Sequence, residues 1–341
     1  GAQPDDSEKP AAECRRGDRM KPRQVVGGVL GIVAAAVAWA ADPAPGVPRI
    51  GFLSTYEVGL QQSVQRRLQE LGWVEGKSAA FEFRFAQGRT ERLPELAAEL
   101  VRAKVDVIVA MTNVPAFAAR NATQTIPIVV YAAHDAVGTG LARTLARPGG
   151  NITGTESLAP ELDAKRIELI KQIVPSLRDL AVLYNPNDQG SPIHLKWAQT
   201  AGQALGFAIS RLEVRGGADY EPTLAGAAAR RPDALLTLTD NITYVNWPRV
   251  ADFALKQRVP TVCEFSGLVE AGCLVSYGPA LDEFTERVAH QVDRILKGAK
   301  PADLPFEQPT RFELVVNLRT ARAIGVAIPQ AILVRADRVL E

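Results

Sequence analysis

Histidine is scarce in this sequence, and its scarcity limits the metal sites that the chain can build. Only three of the 341 residues are histidine, namely His134, His194 and His290, and the last of these falls in the middle of a predicted helix. Transition-metal sites usually combine several imidazole or thiolate ligands. We therefore expect no metal site in this chain.

Catalytic motifs are missing as well. The sequence contains no G-x-S-x-G, no H-E-x-x-H and no phosphate-binding P-loop, which are patterns of hydrolases, zinc proteases and nucleotide-binding enzymes. Gly138-Thr139-Gly140 matches only the start of a dinucleotide-binding fingerprint and lacks its third glycine. We expect no catalytic residues, no cofactor and no enzymatic activity.

The chain also lacks an excess of charge of either sign. It carries 39 Lys and Arg against 38 Asp and Glu, which gives a formal net charge of +1. Six of these basic and five of these acidic side chains lie in residues 1–40, so the remainder is neutral. Because nucleic-acid binding requires a basic surface, we expect no nucleic-acid partner.

Cysteine is rare, with three residues in all, and only Cys263 and Cys273 lie beyond the N-terminal region. Cys263 ends one predicted strand and Cys273 begins the next. If the two strands are parallel, the thiols lie at opposite ends of the sheet, too far apart for the Cα separation of about 7 Å that a disulfide tolerates. We expect two buried free thiols. A disulfide is the alternative in an exported protein.

The N-terminal region has the order of a secretory signal peptide. A basic segment, Met20–Arg23, is followed by the uncharged apolar stretch Val25–Val37 and by the cleavage pattern Ala38-Trp39-Ala40. We assign residues 20–40 to a signal peptide and residues 1–19 to a disordered or upstream extension. The alternative is an uncleaved anchor. No cysteine follows the cleavage point to accept a lipid, so we expect a soluble periplasmic protein.

The chain uses one unit twice, at Val105–Tyr131 and at Pro232–Cys263. Each copy reads as a strand, a polar tip, a helix and a second strand. The tips are Thr112-Asn113 and Thr239-Asp240-Asn241. Ligands bind at the carboxyl ends of parallel strands, so two such tips predict two similar lobes that hold one ligand between them. Alternatively, the tips are ordinary helix caps.

The remaining pattern alternates strands and helices, which predicts parallel sheets covered by helices. Among the elements are strands at Arg49–Ser54 and Phe312–Asn317 and a helix at Leu281–Leu296. The fold class is α/β, with two similar Rossmann-like lobes joined by a hinge. We assign residues 48–154 and 278–300 to lobe 1 and residues 155–277 to lobe 2. Residues 301–341 return across the hinge, and their lobe is left open.

Four stretches resemble one known family, the ABC transporter substrate-binding proteins of the tryptophan/tyrosine-binding type, which have the type I periplasmic-binding-protein fold. They are Ile126–Val130, Gly138–Gly154 with its Arg-Pro-Gly-Gly-Asn-Ile-Thr-Gly end, Val182–Pro186, and Leu304–Ile324. The resemblance covers about residues 48–341. One departure is His134-Asp135-Ala136-Val137, where family members usually have Asp-Pro-Val, so that the aspartate is kept and the proline is absent.

The resemblance implies a monomeric receptor that captures a small molecule in a cleft between the lobes and delivers it to an ABC permease. It implies a ligand of the amino acid or aromatic acid class. Closure about a hinge is a known motion for such a protein. Two alternatives remain: an α/β enzyme that acts on a sugar or nucleotide-like substrate, and the ligand-sensing module of a receptor.

The candidate ligand-binding residues lie at the predicted strand ends, where free backbone N–H groups and polar side chains can contact a ligand. Asp135 is a candidate partner for a ligand amino group, or else it starts a helix at Val137–Leu145. An aromatic ring after a strand, as in Glu264-Phe265 or at Tyr277, can stack on a flat ligand. The full set is Ser54, Thr55, Tyr56, Thr112, Asn113, His134, Asp135, Asn185, Asp240, Asn241, Glu264 and Tyr277.

Overall fold

The computed structural model describes residues 46–157, 159–238 and 240–341, without the side chains of residues 159–161. The predicted extension 1–19 and signal peptide 20–40 lie outside this part of the chain, as does Thr239 of the second predicted tip. The described residues belong to one compact unit. No helix among the described residues combines the length and the hydropathy needed to cross a lipid bilayer.

The first lobe is built on a five-stranded, fully parallel sheet with the strand order β2-β1-β3-β4-β5. Its central strands β3 and β4 are buried along their whole length, as expected for strands covered on both faces by helices. Its elements are β1 (Arg49–Ser54), α1 (Leu60–Glu70), β2 (Ala80–Phe85), α2 (Leu93–Arg102), β3 (Val107–Met111), α3 (Asn113–Ala122), β4 (Ile128–Ala133) and β5 (Ile152–Glu156).

The second lobe is built on a seven-stranded sheet with the order β12-β11-β10-β9-β8-β6-β7. Its first elements are α4 (Ala159–Ile173), β6 (Asp179–Tyr184), α5 (Ser191–Leu205), β7 (Ala208–Glu213), α6 (Tyr220–Arg230), β8 (Ala234–Thr237) and α7 (Asn241–Gln257). The others are β9 (Thr261–Cys263), α8 (Ser266–Glu270), β10 (Val275–Pro279), β11 (Phe312–Asn317), α10 (Leu318–Ile324), α11 (Gln330–Leu333) and β12 (Arg338–Leu340).

Two strands, β11 and β12, depart from the expected parallel arrangement. β11 pairs with β10 in antiparallel fashion, whereas the other pairs in this sheet are parallel. Between these strands the chain crosses to the first lobe as helix α9 (Leu281–Leu296) and then returns. β11 therefore enters the sheet from the side that faces the other lobe, which reverses its direction. The C-terminal strands β11 and β12 both belong to this second sheet.

Helix α9 lies against the first sheet and not the second. It packs on α1, β3, β4 and β5, and its buried face includes Phe284, Val288, Gln291 and Ile295. The amide of Gln291 donates a 3.0 Å hydrogen bond to the carbonyl of Gly154. A Cβ at Gly154 would overlap the backbone of Val130, so glycine is required where β5 approaches β4 on the way out of the lobe.

The expectation of free thiols is wrong, because Cys263 and Cys273 form a disulfide. Both residues are buried, and their Cα atoms are 6.6 Å apart. β9 is only three residues long, so the two ends of this part of the sheet are close enough for the bridge. The inference from opposite strand ends failed because it assumed a longer strand.

Candidate functional site

A cavity of about 30 Å³ lies where the carboxyl ends of the two sheets face each other. A volume of this size holds one or two water molecules, so the lobes are closed on each other. The first lobe, with the start of α9, contributes Leu60, Met111, Thr112, Tyr131, Ala132, His134 and Leu281. The second lobe contributes Asp240, Asn241, Tyr244 and Phe265. Four of the predicted residues, Thr112, His134, Asp240 and Asn241, therefore lie in its wall.

The first predicted tip provides one wall residue and one positioning residue. Thr112 has φ 71° and ψ −174° and gives α3 no side-chain cap. Asn113 is fully buried and bonds the backbone of His134 twice. Its Nδ2 donates to the His134 carbonyl at 2.7 Å, and its Oδ1 accepts from the His134 N–H at 2.8 Å. Asn113 thereby holds His134 at the cavity.

His134 is paired with a carboxylate from the other lobe. Its Nδ1 lies 3.3 Å from Oδ2 of Asp188, and both side chains are buried. Burial alone lowers the pKa of His134, but the hydrogen bond and charge of Asp188, with the charges of Glu264 and Glu156, raise it to about 9. Burial acts to raise the pKa of Asp188, yet His134 holds it below its ordinary value. The pair is therefore an imidazolium and a carboxylate, and Nε2 of His134 is the nitrogen available to a ligand.

The second predicted tip caps its helix and also reaches the first lobe. Asp240 accepts from the Thr243 N–H at 2.7 Å and from Asn185 Nδ2 at 2.7 Å. Burial raises the pKa of the Asp240 carboxyl, and the charge of Asp188 adds to the increase. The hydrogen bonds from Thr243 and Asn185 lower the pKa but do not offset the increase. The amide of Asn241 donates at 3.3 Å to both Ser54 Oγ and the Met111 carbonyl. Asn241 thus hydrogen-bonds across the cleft.

Ser54 ends β1, and Thr55 and Tyr56 follow it. None of the three lines the cavity. Ser54 and Thr55 are buried, and the Ser54 hydroxyl donates to the Tyr56 carbonyl at 2.7 Å. Burial raises the pKa of the Tyr56 hydroxyl, and the negative charge of Asp240 adds to the increase. A hydrogen bond with Asn246 acts in the opposite direction. This segment therefore meets the second lobe beside the cavity.

Three other candidates lie away from the cavity wall. Asp135 has φ 50°, and its carboxylate accepts from the Gly138 N–H at 2.8 Å. The Tyr277 ring stacks on Phe312 with centroids 6.4 Å apart. Glu264 is buried, 3.7 Å from the guanidinium of Arg166.

The helix considered at Val137–Leu145 is absent, and turns take its place. Gly138 and Gly140 interrupt the segment, and Gly140 adopts φ 76°, a conformation that a helix does not contain. The N–H groups of Asp135 and Ala136 donate instead to the carboxylate of Glu156 at 2.7 and 2.9 Å. Burial raises the pKa of the Glu156 carboxyl to about 7, although these two hydrogen bonds act to lower it.

Sequence reasoning missed much of the apolar part of the wall. Tyr131 lies in β4, two residues before its end, and its hydroxyl donates to the Leu281 carbonyl at 3.0 Å. Tyr244 lies in the first turn of α7. Both aromatics stand next to predicted strand ends in the sequence, which is the signal that could have identified them. Within the described residues, no group of three or more His, Cys, Asp or Glu side chains is arranged to hold a metal ion.

A comparison with protein families identifies the group to which this fold and cleft belong. The family described as "ABC transporter substrate binding protein" matches residues 57–340. The chain belongs to this family. The family resemblance seen in the sequence is thereby confirmed, and so is the predicted role as a substrate-binding protein that captures a solute for an ABC uptake transporter.

Individual relatives agree with this assignment. A tyrosine-binding protein of Clostridioides difficile (strain R20291) is 26% identical over 261 residues, which cover 76% of this chain and 75% of that protein. A solved ABC domain from Streptococcus pneumonia in complex with L-Trp has a TM-score of 0.80 at 24% identity and covers 86% of this chain and all of that one. A conserved domain protein from Vibrio cholerae reaches 0.81 at 27% identity, with coverage of 86% and 99%. The predicted two-lobed α/β fold class is confirmed, with β11 and β12 running against the other strands of the second sheet.

Proposed function

We propose that this family member captures a small molecule of the amino acid or aromatic acid class between its lobes and delivers it to an ABC permease. The observation that carries the proposal is the composition of the cavity wall. Three aromatic rings, Tyr131, Tyr244 and Phe265, stand beside one imidazole and one carboxylate, His134 and Asp240. Small-molecule sites have this composition, mostly apolar with a few placed polar groups.

Hinge motion is part of the proposal, because an aromatic ligand needs more room than the cavity now has. Opening breaks the hydrogen bonds from Asn241 to Ser54 and Met111 and separates His134 from Asp188. A ligand that binds between the lobes replaces these contacts and favours the closed form. A ligand that binds the closed form more tightly than the open form shifts the equilibrium toward the closed form.

The roles of the predicted residues follow from their positions. Thr112, His134, Asp240 and Asn241 contact the ligand directly. Ser54, Thr55, Tyr56, Asn113 and Asn185 support these residues or form the contact between the lobes. The relatives named for tyrosine and solved with L-Trp support an aromatic side chain on the ligand.

The export route belongs to the same proposal. Residues 20–40 have the pattern of a cleavable signal peptide, and the protein would act in the periplasm as a monomer without catalysing a reaction. Expression of the full chain in a bacterium, followed by fractionation and N-terminal sequencing, tests this point. Recovery of the uncleaved chain in the membrane fraction contradicts it.

The ligand class is tested by a thermal-shift screen of residues 43–341 against amino acids and aromatic acids. A ligand present at 100 times its Kd stabilises the folded state by about 2.7 kcal/mol, which is a readily measured rise in Tm. Phe265→Ala is the variant expected to abolish the shift, and Phe312→Ala, outside the cavity wall, is its control. If no compound of either class raises Tm, the proposed ligand class is wrong.

A further inference from the structure

One ion pair joins the two lobes beside the cavity, and each lobe supplies one of its members. His134 follows β4 of the first lobe, where Asn113 holds its backbone by two hydrogen bonds. Asp188 precedes α5 of the second lobe, and its Oδ2 accepts from the N–H and the hydroxyl of Ser191 at 3.1 and 3.0 Å. Nδ1 of His134 lies 3.3 Å from the same oxygen. Opening of the cleft therefore separates the two side chains and leaves each with the contacts of its own lobe.

The lobes approach each other closely at this pair. Gly190, just before α5, has φ −76° and ψ −39°, which any residue can adopt. A Cβ added to Gly190 would lie 2.5 Å from Cβ of His134, so the packing of the two lobes requires glycine there and the backbone conformation does not. His134 is 5% exposed and Asp188 is 1% exposed. In the closed form the pair is therefore almost without water.

Closure surrounds His134 with acidic groups. Asp188 and Glu264 act on its charge from the second lobe, and Glu156 acts on it from the first. Glu264 also faces the guanidinium of Arg166 at 3.7 Å, so Asp188 is the stronger partner of the imidazole. The ionisable side chains around His134 are Asp135 and Glu156 in the first lobe and Asp188, His194, Asp240 and Glu264 in the second.

A second imidazole near the pair keeps its partner when the lobes separate. The ring of His194 lies 5.5 Å from that of His134, and its Nδ1 lies 2.8 Å from Oδ2 of Asp163. His194 is on α5 and Asp163 is on α4, so both belong to the second lobe. Opening therefore changes the partner of His134 and not that of His194.

We propose that closure of the cleft takes up one proton from solvent, which His134 of the first lobe holds against Asp188 of the second, so that ligand capture is coupled to protonation. This inference rests on the proposed function, since it requires that ligand binding closes the lobes. The open form has a neutral imidazole and a carboxylate. In the closed form both ring nitrogens carry a proton, and Nδ1–H donates to Asp188 Oδ2. A buried carboxylate beside a neutral imidazole would lack the charge that compensates it.

The pKa of His134 gives the sign and the pH range of the coupling. A histidine in water has a pKa of about 6.5, whereas that of His134 in the closed form is about 9, mainly because Asp188 outweighs the opposing effect of burial. The closed form therefore binds the proton more tightly, and ligand affinity falls as the pH rises between these two values. Glu156 titrates lower, at about 7, so a measurement at pH 8 reports mainly on His134.

The decisive experiment is a calorimetric titration with L-tryptophan and with L-tyrosine at pH 8, in buffers that differ in ionisation enthalpy, such as phosphate and Tris. The slope of the observed binding enthalpy against the ionisation enthalpy of the buffer gives the number of protons taken up. We expect about 0.9 proton for each ligand bound, from the two pKa values of His134. For the same reason the affinity should fall at least about tenfold between pH 7 and pH 9.

Two variants remove one member of the pair each. In His134→Gln and in Asp188→Asn the uptake at pH 8 should fall below about 0.2 proton, because no group then changes its pKa across this range on closure. Asparagine at 188 keeps an oxygen that accepts from the Ser191 N–H. His290→Gln, at a half-exposed position on α9, is the matched histidine control and should keep the wild-type uptake. Protons that the ligand itself exchanges cancel in the difference between wild type and variant.

The possible failures of the two proposals differ. If the wild type binds a probe and takes up less than about 0.2 proton at pH 8, the proton coupling is overturned and the proposed function stands. Uptake that survives in either His134→Gln or Asp188→Asn places the proton elsewhere and also overturns the coupling. If neither probe binds and no other amino acid or aromatic acid does, both proposals are overturned.

Discussion

The two repeated units of this chain carry the same sequence signal and use it differently. In the first unit, β3–α3–β4, Thr112 adopts a left-handed backbone and caps nothing. In the second unit, β8–α7–β9, Asp240 has an extended backbone and caps α7. The asparagine that follows each tip residue also differs. Asn113 bonds within its own lobe, whereas Asn241 bonds across the cleft.

This difference shows that a shared pattern predicts where a polar tip lies and not what it does. The first unit forms a wall and fixes His134 in it. The second unit combines a helix cap with the contact that closes the lobes. The two units would therefore respond differently to matched substitutions, and four experiments test how far that difference extends.

The largest expected effect concerns the disulfide, which ties Cys263, the last residue of the second unit, to Cys273, whereas the first unit contains no cysteine. Reduction, or the double change Cys263→Ser and Cys273→Ser, should lower the free energy of unfolding by about 3 kcal/mol, the usual value for a short closed loop. Urea unfolding with and without a reductant measures this. The double variant is the control, since a reductant should not affect it. Equal stability of the oxidised and reduced protein contradicts the prediction.

The ion pair between His134 and Asp188 should make stability depend on pH. The folded-state pKa of His134, about 9, lies above its ordinary 6.5. The contribution of the pair is therefore complete below pH 6.5, and on the order of 3 kcal/mol is lost as the pH rises through 9. Glu156 acts in the same direction, since its pKa is raised from 4.5 to about 7 and its contribution is lost as the pH rises through 7.

The measurement is Tm between pH 5 and pH 9.5, with His134→Gln as the matched variant. The Tm of the wild type should fall across this range. The Tm of the variant should fall only below pH 7, where Glu156 titrates. The groups that face His134 from neighbouring elements are Asp188, Glu264, Glu156 and the ring of His194. A rise in wild-type Tm between pH 7 and pH 9 contradicts the assignment.

The paired asparagines compare the two units directly. Asn113→Ala should lower the free energy of unfolding by about 2 kcal/mol, because it leaves the buried N–H and carbonyl of His134 unpaired. Asn241→Ala removes two longer hydrogen bonds and should cost less than about 1 kcal/mol, while it weakens ligand binding by favouring the open form. Urea unfolding and ligand titration of both variants measure the two effects. Equal losses of stability would show that the units are not different after all.

The smallest effects concern the tip residues themselves. Thr112→Gly should be neutral or stabilising by up to about 1 kcal/mol, because φ 71° with ψ −174° strains a β-branched residue and suits glycine. Asp240→Ala should destabilise by about 1 kcal/mol through loss of the helix cap. Thermal unfolding of both variants gives the signs. The same sign for both refutes the proposed difference in capping.

Much of the fold was predictable because it depends on local pattern. The strands Arg49–Ser54 and Phe312–Asn317 and the helix Leu281–Leu296 have the predicted bounds. The spacing at which apolar residues recur in each segment indicates whether it forms a strand or a helix. The positions of Thr112, His134, Asp240 and Asn241 at strand ends were predictable for the same reason, since a polar residue after an apolar strand marks its end.

Apart from the absent helix at Val137–Leu145, which the local conformation of Gly140 excludes, the errors arose where contacts between separate segments decide the outcome. The direction of β11 depends on the path of the chain through α9 and back. The disulfide depends on the short length of β9. In the sequence, the apolar wall residues Tyr131 and Tyr244 look like ordinary core residues. The pattern of apolar positions in a strand or helix is the same whether the apolar side faces a core or a cleft.

The sequence by itself determined the elements, the α/β class, the repeat and the family. Only the tertiary structure decided which strand ends meet and what each tip does. Asn241 reaches Ser54 and Met111 across 187 and 130 positions of chain, and His134 reaches Asp188 across 54. Local preferences act over a few residues, so they determine each unit separately. The cleft exists only after the folding of the whole chain has brought the two units face to face.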